Sequence, residues 1–256
     1  MTRDRFTGRV VLVTGSTGMA AAAARAIATE GGSLFVVSKT EPNARALAEA
    51  IPGSRWLAAD LAQEEAAESA VKECVGAFGR LDAVFNVAGI SGRRFGDGPV
   101  HELTAEGWDT VMAANVRSMF LVTRAAIRQM LTQGGGGAIL NMSSVLAEHP
   151  AAPIFSTHAY AASKGAINAF SKAVAAHYAG DGIRVNVIAP AMTATPMSRR
   201  AQSDEATMSF VRGRQALAGG ALAAEDVVGT ALYLLSDDAR MVTGQVIAVD
   251  GGWGVS

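Results

Sequence analysis

Seven short apolar runs, spaced along the chain with Ala-rich stretches between most of them, constrain the fold most. They are Val10–Val13, Leu34–Val37, Trp56–Ala59, Ala83–Val87, Ala138–Met142, Val185–Ala189 and Val246–Val249. Each is continuous rather than alternating and is bounded by Gly, Asp or Pro, the pattern of a strand covered on both faces. The intervening Ala20–Glu30, Glu64–Phe78, Trp108–Leu131, Ala159–Tyr178 and Glu225–Leu235 have helical spacing. In Glu64–Phe78, for example, Ala67, Val71, Cys74, Val75 and Phe78 share one face. Strand and helix in alternation predict an α/β chain, a parallel sheet wrapped by helices. No Pro- or Ser-rich linker divides it, so a single domain over residues 1–256 is expected. The Gly134–Gly137 patch between a helix and a strand is expected to be a turn.

Composition excludes several classes. With 22 Lys+Arg against 23 Asp+Glu, the charge is too balanced for a protein whose task is gripping nucleic-acid phosphates. Half the residues are hydrophobic and 18% are charged, which excludes a disordered chain. The single cysteine, Cys74, permits no intrachain disulfide and fits a reducing compartment such as the cytoplasm. The opening MTRDRFTGRVVLV reaches glycine too early for a signal-peptide apolar region, and no run of 18 apolar residues is present, so neither a leader nor a membrane span is expected.

The first run leads into Thr14-Gly15-Ser16-Thr17-Gly18-Met19-Ala20-Ala21. A glycine-rich turn between strand and helix lets backbone N–H groups and the helix N-terminus approach a pyrophosphate. The second run ends Ser38-Lys39 with no carboxylate for a ribose 2′-hydroxyl; Lys39 offers a cation to a 2′-phosphate instead, or is a solvated lysine opening the next helix. Asp60 could accept from an adenine amino group, cap the segment beginning near Leu61, or both. Tyr160 and Lys164 stand four apart on one helical face, where an ammonium would lower the phenol pKa toward a working range. Ser144 closes the fifth run, at the carboxyl end where parallel-sheet sites form.

In TGSTGMA (14–20), Asp60, NVAG (86–89), Asn115, NMSS (141–144), YAASK (160–164), PAMTATPM (190–197) and VTGQVIAVDGGW (242–253) the chain resembles the short-chain dehydrogenase/reductase family over essentially its whole length. The resemblance implies a single-domain Rossmann fold with a seven-stranded parallel sheet, and hydride transfer between NAD(P) and a secondary alcohol or ketone. It implies Tyr160 as general acid/base and Lys164 as its tuner and the holder of the nicotinamide ribose. It implies Ser144 (rather than Ser143) steadying the substrate oxygen, and Asn115 supporting a water that links Lys164 to solvent. A dinucleotide would lie along Gly15, Ser16, Thr17, Gly18, Met19, Ser38, Lys39, Asp60, Leu61, Asn86, Ala88, Gly89, Asn115, Tyr160, Lys164, Pro190, Ala191, Thr193 and Thr195. NADP(H) is favoured over NAD(H) on Lys39.

The chain departs from the family pattern in places. The phosphate turn is one residue short and lacks its last glycine, Val87 replaces a second Asn, Ala191 replaces a Gly, and the Ser144–Tyr160 separation is long. The extra residues, EHPAAPIFSTHA, should line the substrate entrance with Ile90–Pro99 and a lid at 197–222. His149 and Met192, with Ser144 and Tyr160, are the substrate candidates; with no third ligand spaced to His149 and His158, no metal is expected. The apolar helices and tail imply a homotetramer or homodimer. A non-redox lyase and a nucleotide-sensing protein on the same scaffold are the alternatives.

Overall fold

The computed structural model describes residues 4–256; the first three residues of the opening stretch read above for a leader lie outside it. Seven strands form one parallel sheet: β1 (Val10–Thr14), β2 (Ser33–Ser38), β3 (Arg55–Ala58), β4 (Ala83–Asn86), β5 (Gly137–Met142), β6 (Ile183–Pro190) and β7 (Val246–Val249). Their order is β3-β2-β1-β4-β5-β6-β7, so the chain reverses direction across the sheet between β1 and β4. That reversal opens a crevice beyond the carboxyl ends of the strands, where ligands of such sheets bind. Each expected run is a strand, with ends displaced by a residue or two.

Strand pleating sends alternate side chains to opposite faces. Val11 and Val13 of β1, with Leu34, Val36 and Phe85, meet α1 (Gly18–Thr29), α2 (Glu41–Glu49) and α9 (Ala224–Leu235). Val10 and Leu12, with Phe35, Val37 and Val84, meet α3 (Glu64–Phe78) and α5 (Ser118–Gln133). These two cores bury both faces of the sheet, which is why the strands read as unbroken apolar runs. Alanines at 20, 21, 23 and 24 give α1 its buried face and let it lie close to the sheet.

The expected helix Trp108–Leu131 is divided. It comprises α4 (Ala105–Met112), a π-helical turn (Ala113–Arg117) and α5. Apolar periodicity runs on through the turn, so the sequence gives no stop signal there. Such π-turns gather at functional sites, and this one carries Asn115. α6 (His158–Tyr178) spans the expected helix, and the segment between Pro196 and the Gly219-Gly220 pair contains α7 (Arg199–Gln202) and α8 (Glu205–Arg214). Among the described residues no helix is long and apolar enough to cross a membrane.

The glycine patch before β5 is conformationally required. Gly134, Gly135 and Gly136 all take positive φ, and a Cβ on Gly136 would lie 2.3 Å from the Gly182 carbonyl oxygen. Gly136→Ala is therefore expected to cost about 2–3 kcal/mol, and Gly135→Ala, which meets nothing, about 1 kcal/mol. Urea unfolding of the two variants checks that order.

Candidate active site

Ser144, Tyr160, Lys164 and Asn115 converge at the carboxyl end of β5. Ser144 follows the strand and is buried; its Oγ accepts from Leu146 N at 3.2 Å and neighbours the Tyr160 phenol. Ser143 faces elsewhere, donating to the Lys164 carbonyl at 3.1 Å. Lys164 is 4% exposed, and its Nζ donates to Met142 O at 2.8 Å and stands 5.4 Å from the centre of the Tyr160 ring. Asn115 bonds both backbone groups of Ile90 (N–H to Oδ1, 2.8 Å; Nδ2 to O, 3.0 Å) and donates to Ser163 Oγ at 3.0 Å. Its side chain thus fastens the π-turn to the loop after β4 and to the helix bearing Tyr160.

The electrostatics differ from the expected lysine-depressed phenol. Burial pushes the Tyr160 phenol up, with the neighbouring Ser144 hydroxyl opposing it. Burial also holds Lys164 down at about 8. The ammonium is turned toward the Met142 carbonyl, so desolvation outweighs its pull on the phenol.

The expected dinucleotide residues surround the crevice. Thr14 Oγ1 accepts from Val87 N (3.0 Å) and Ala88 N (3.1 Å), tying β1 to β4 across the reversal. Gly15 (φ 92°) and Gly18 (φ 54°) shape the shortened turn, Thr17 is the residue preceding α1, and half-buried Met19 follows Gly18 into the helix. A Cβ on Gly18 would lie 2.9 Å from Thr195 Cγ2, and one on Gly89 would lie 2.9 Å from Asn115 Oδ1. Ser16 donates to Ser38 at 3.0 Å, joining the turn to β2. Leu61 is buried, Ala191 N follows Pro190 and donates to Val249 O at 3.2 Å, and Thr193 donates to Ala191 O at 3.1 Å. Asn86 donates to Asn141 (2.9 Å) and Thr123 (3.2 Å) while its buried Oδ1 has no partner. A glycine cradle at a helix N-terminus, where a Cβ on Gly18 would meet Thr195, fits a bound dinucleotide.

Two details qualify the sequence reading. Exposed Lys39 is paired with Asp60 at 2.7 Å, and this holds the Asp60 carboxyl below its usual range. The other Asp60 oxygen accepts from Ala62 N at 3.2 Å, so Asp60 caps the turn before α3 as well as balancing Lys39. Met192 is buried, and both its backbone groups pair with the Gln215 amide at 3.0 Å. His149 is exposed, and its carbonyl accepts from Trp253 Nε1 at 3.3 Å.

Asp97 carries no sequence signal beyond an acid in a glycine-rich loop, yet it anchors the site. Its buried carboxylate accepts from Ala159 N (3.0 Å) and Tyr160 N (2.9 Å), capping the helix that presents the tyrosine.

A family profile described as Enoyl-(Acyl carrier protein) reductase matches residues 13–254. The chain is 34% identical to D-threitol dehydrogenase of Mycolicibacterium smegmatis, covering 97% of this chain and 94% of that protein. It is 36% identical to momilactone A synthase of Oryza sativa subsp. japonica, covering 98% and 92%. The crystal structure of levodione reductase superposes with a TM-score of 0.88 at 32% identity, covering 98% of this chain and all of that one. With the sheet order and the crevice, these likenesses establish that the chain belongs to the short-chain dehydrogenase/reductase family, a family of NAD(P)(H)-dependent oxidoreductases.

Proposed function

We propose that the protein interconverts a secondary alcohol and a ketone with a dinucleotide, through Ser144, Tyr160, Lys164 and Asn115. The observation that carries this reading is the buried Lys164 ammonium, held by Met142 O at 2.8 Å with the Tyr160 ring centre 5.4 Å away and Ser144 at the end of the same strand. Tyr160 gives a proton to the carbonyl oxygen in reduction and takes it back in oxidation. Ser144 holds that oxygen within reach. Lys164 supplies positive charge in a desolvated position, where it acts more strongly than in water. Asn115, fixed at Ile90 and Ser163, holds the π-turn that borders Lys164. The dinucleotide, when bound along Gly15–Met19, Ser38, Asn86–Gly89 and Pro190–Thr195, supplies or accepts the hydride. One domain over 1–256 would carry both tasks, with 197–222 as lid and His149 and Met192 bordering the substrate. Exposed Trp108, Phe120 and Leu131 on α4 and α5 support a homodimer or homotetramer. Cys74 is buried, and burial pushes its thiol up to about 12, which keeps it protonated and out of the proposed chemistry.

Fluorescence titration with NADPH and NADH tests the reading: failure of both to bind would favour a non-redox protein. NADP(H) remains the favoured cofactor, with Lys39 reaching the 2′-phosphate by leaving Asp60. That pair is exposed, so its loss costs little. Lys39→Ala is expected to weaken NADPH about 10-fold and leave NADH within about 2-fold. Equal losses would point to a purely local role for the Lys39–Asp60 pair.

A further inference from the structure

The tail was expected to be apolar because it packs against a second copy. Instead Trp253 is 2% exposed and buried within its own chain. Its ring meets Phe155 of the entrance loop at 5.7 Å and Phe210 of α8 at 5.6 Å, and those two rings are 6.5 Å apart. Its indole N–H donates to His149 O. The Arg214 guanidinium stacks 5.8 Å from both Phe210 and Trp253 and donates to Ser256 O. The cluster continues into Val145, adjoining Ser144, and Ala191, adjoining Pro190, so it borders the site from both sides.

The two halves of the lid are held very differently. α8 is pinned by these rings, by fully buried Gln215 on Met192, and by Leu217 N on Gly251 O at 3.0 Å. The half before it is held less: it has no buried residue from Pro196 through Gln202, it meets the cluster only through half-buried Ala201, and its hydrogen bonds, such as Gln202 to Ser198 at 2.9 Å and to Thr195 O at 3.2 Å, are local.

We propose that Trp253 is the specificity-determining positioning residue of this site, locking α8 and the entrance loop into a static aromatic wall so that only residues 196–204 open. The wall then sets the largest substrate body that fits beyond the reacting carbon, while the short first half admits it. Its role in substrate selection rests on the proposed redox function; the locking itself does not.

Hydrogen exchange on the full chain reads the locking without turnover. Backbone amides of 205–214 should exchange at least about 10-fold more slowly than those of 197–203 in the parent. Trp253→Ala should erase that difference while α3 keeps its protection, Arg214→Gln should erode it partly, and Trp253→Phe should largely preserve it. Equal exchange of the two halves in the parent overturns the proposal. So does protection of α8 that survives Trp253→Ala, or a loss that spreads equally to α3. Reduction of cycloalkanones from cyclopentanone to cyclododecanone reads selectivity. Trp253→Ala should raise kcat/KM for the large rings relative to the small by about 10-fold, with dinucleotide affinity unchanged. An unmoved size preference overturns the specificity role. If no ketone is reduced by any variant, the redox reading falls, and the exchange pattern still decides the locking.

Discussion

Tyr160→Phe is expected to lower kcat by about 10²–10⁴-fold while dinucleotide affinity stays within about 2-fold. The ring and its packing survive; what disappears is the phenol hydroxyl, the proton source beside Ser144 at the end of β5. Steady-state kinetics beside fluorescence titration separate the two effects. Ser144→Ala should cost less, because it removes a holder of the oxygen and leaves the proton source. The pH dependence follows from burial. In the free protein the phenol is pushed up and keeps its proton through neutral pH, whereas Lys164 gives up its own near 8. For ketone reduction, kcat/KM should therefore be flat at neutral pH and fall above about 8, an apparent value belonging to the coupled pair. Near-full turnover by Tyr160→Phe would remove this tyrosine from the chemistry.

The framework was legible because both faces of the sheet are covered. A doubly buried strand has to be apolar throughout, so β1, β2, β4, β5 and β6 announce themselves in composition alone. The helices are legible where one face packs, as in α3. The division at Ala113–Arg117 was hidden, since a π-turn needs no change of residue type, only a side chain able to hold it. Asn115 was marked as a functional candidate by resemblance, and the structure adds the physical task of tying that turn to Ile90 and Ser163. Asp97 was invisible for a different reason. An acid capping a helix across a loop is set by tertiary approach, and its partner amides lie more than sixty residues away. The burial of Trp253 within its own chain was not legible, because a sequence shows that a tail is apolar but not which surface each residue covers. The direction of the phenol's shift was also beyond reach: spacing places Lys164 one turn from Tyr160, but only packing decides that its proton points at Met142 O.

Lys164→Met is expected to abolish ketone reduction, by more than about 10²-fold, and yet to make the unliganded protein more stable at neutral pH. In the unfolded chain lysine keeps its proton up to about 10.5, whereas in the fold burial lowers that to about 8. Below pH 8 the fold thus carries a desolvated charge, a cost of about 3 kcal/mol. Between those two values the unfolded chain binds more protons than the folded one, so the stability of the parent rises with pH there. Methionine fills similar space without charge. It forfeits the hydrogen bond to Met142 O, worth about 1 kcal/mol. At pH 7 the variant should gain about 1–2 kcal/mol, and by pH 10 the advantage should vanish or reverse. Urea unfolding of both proteins at several pH values measures this; an advantage that does not shrink as pH rises would mean that folding does not lower the Lys164 pKa, the ammonium staying charged in the fold as it does in the unfolded chain. A buried ammonium that destabilises the fold but is needed for turnover is strain stored at a functional site, and Lys164 would be retained for its charge rather than for its packing.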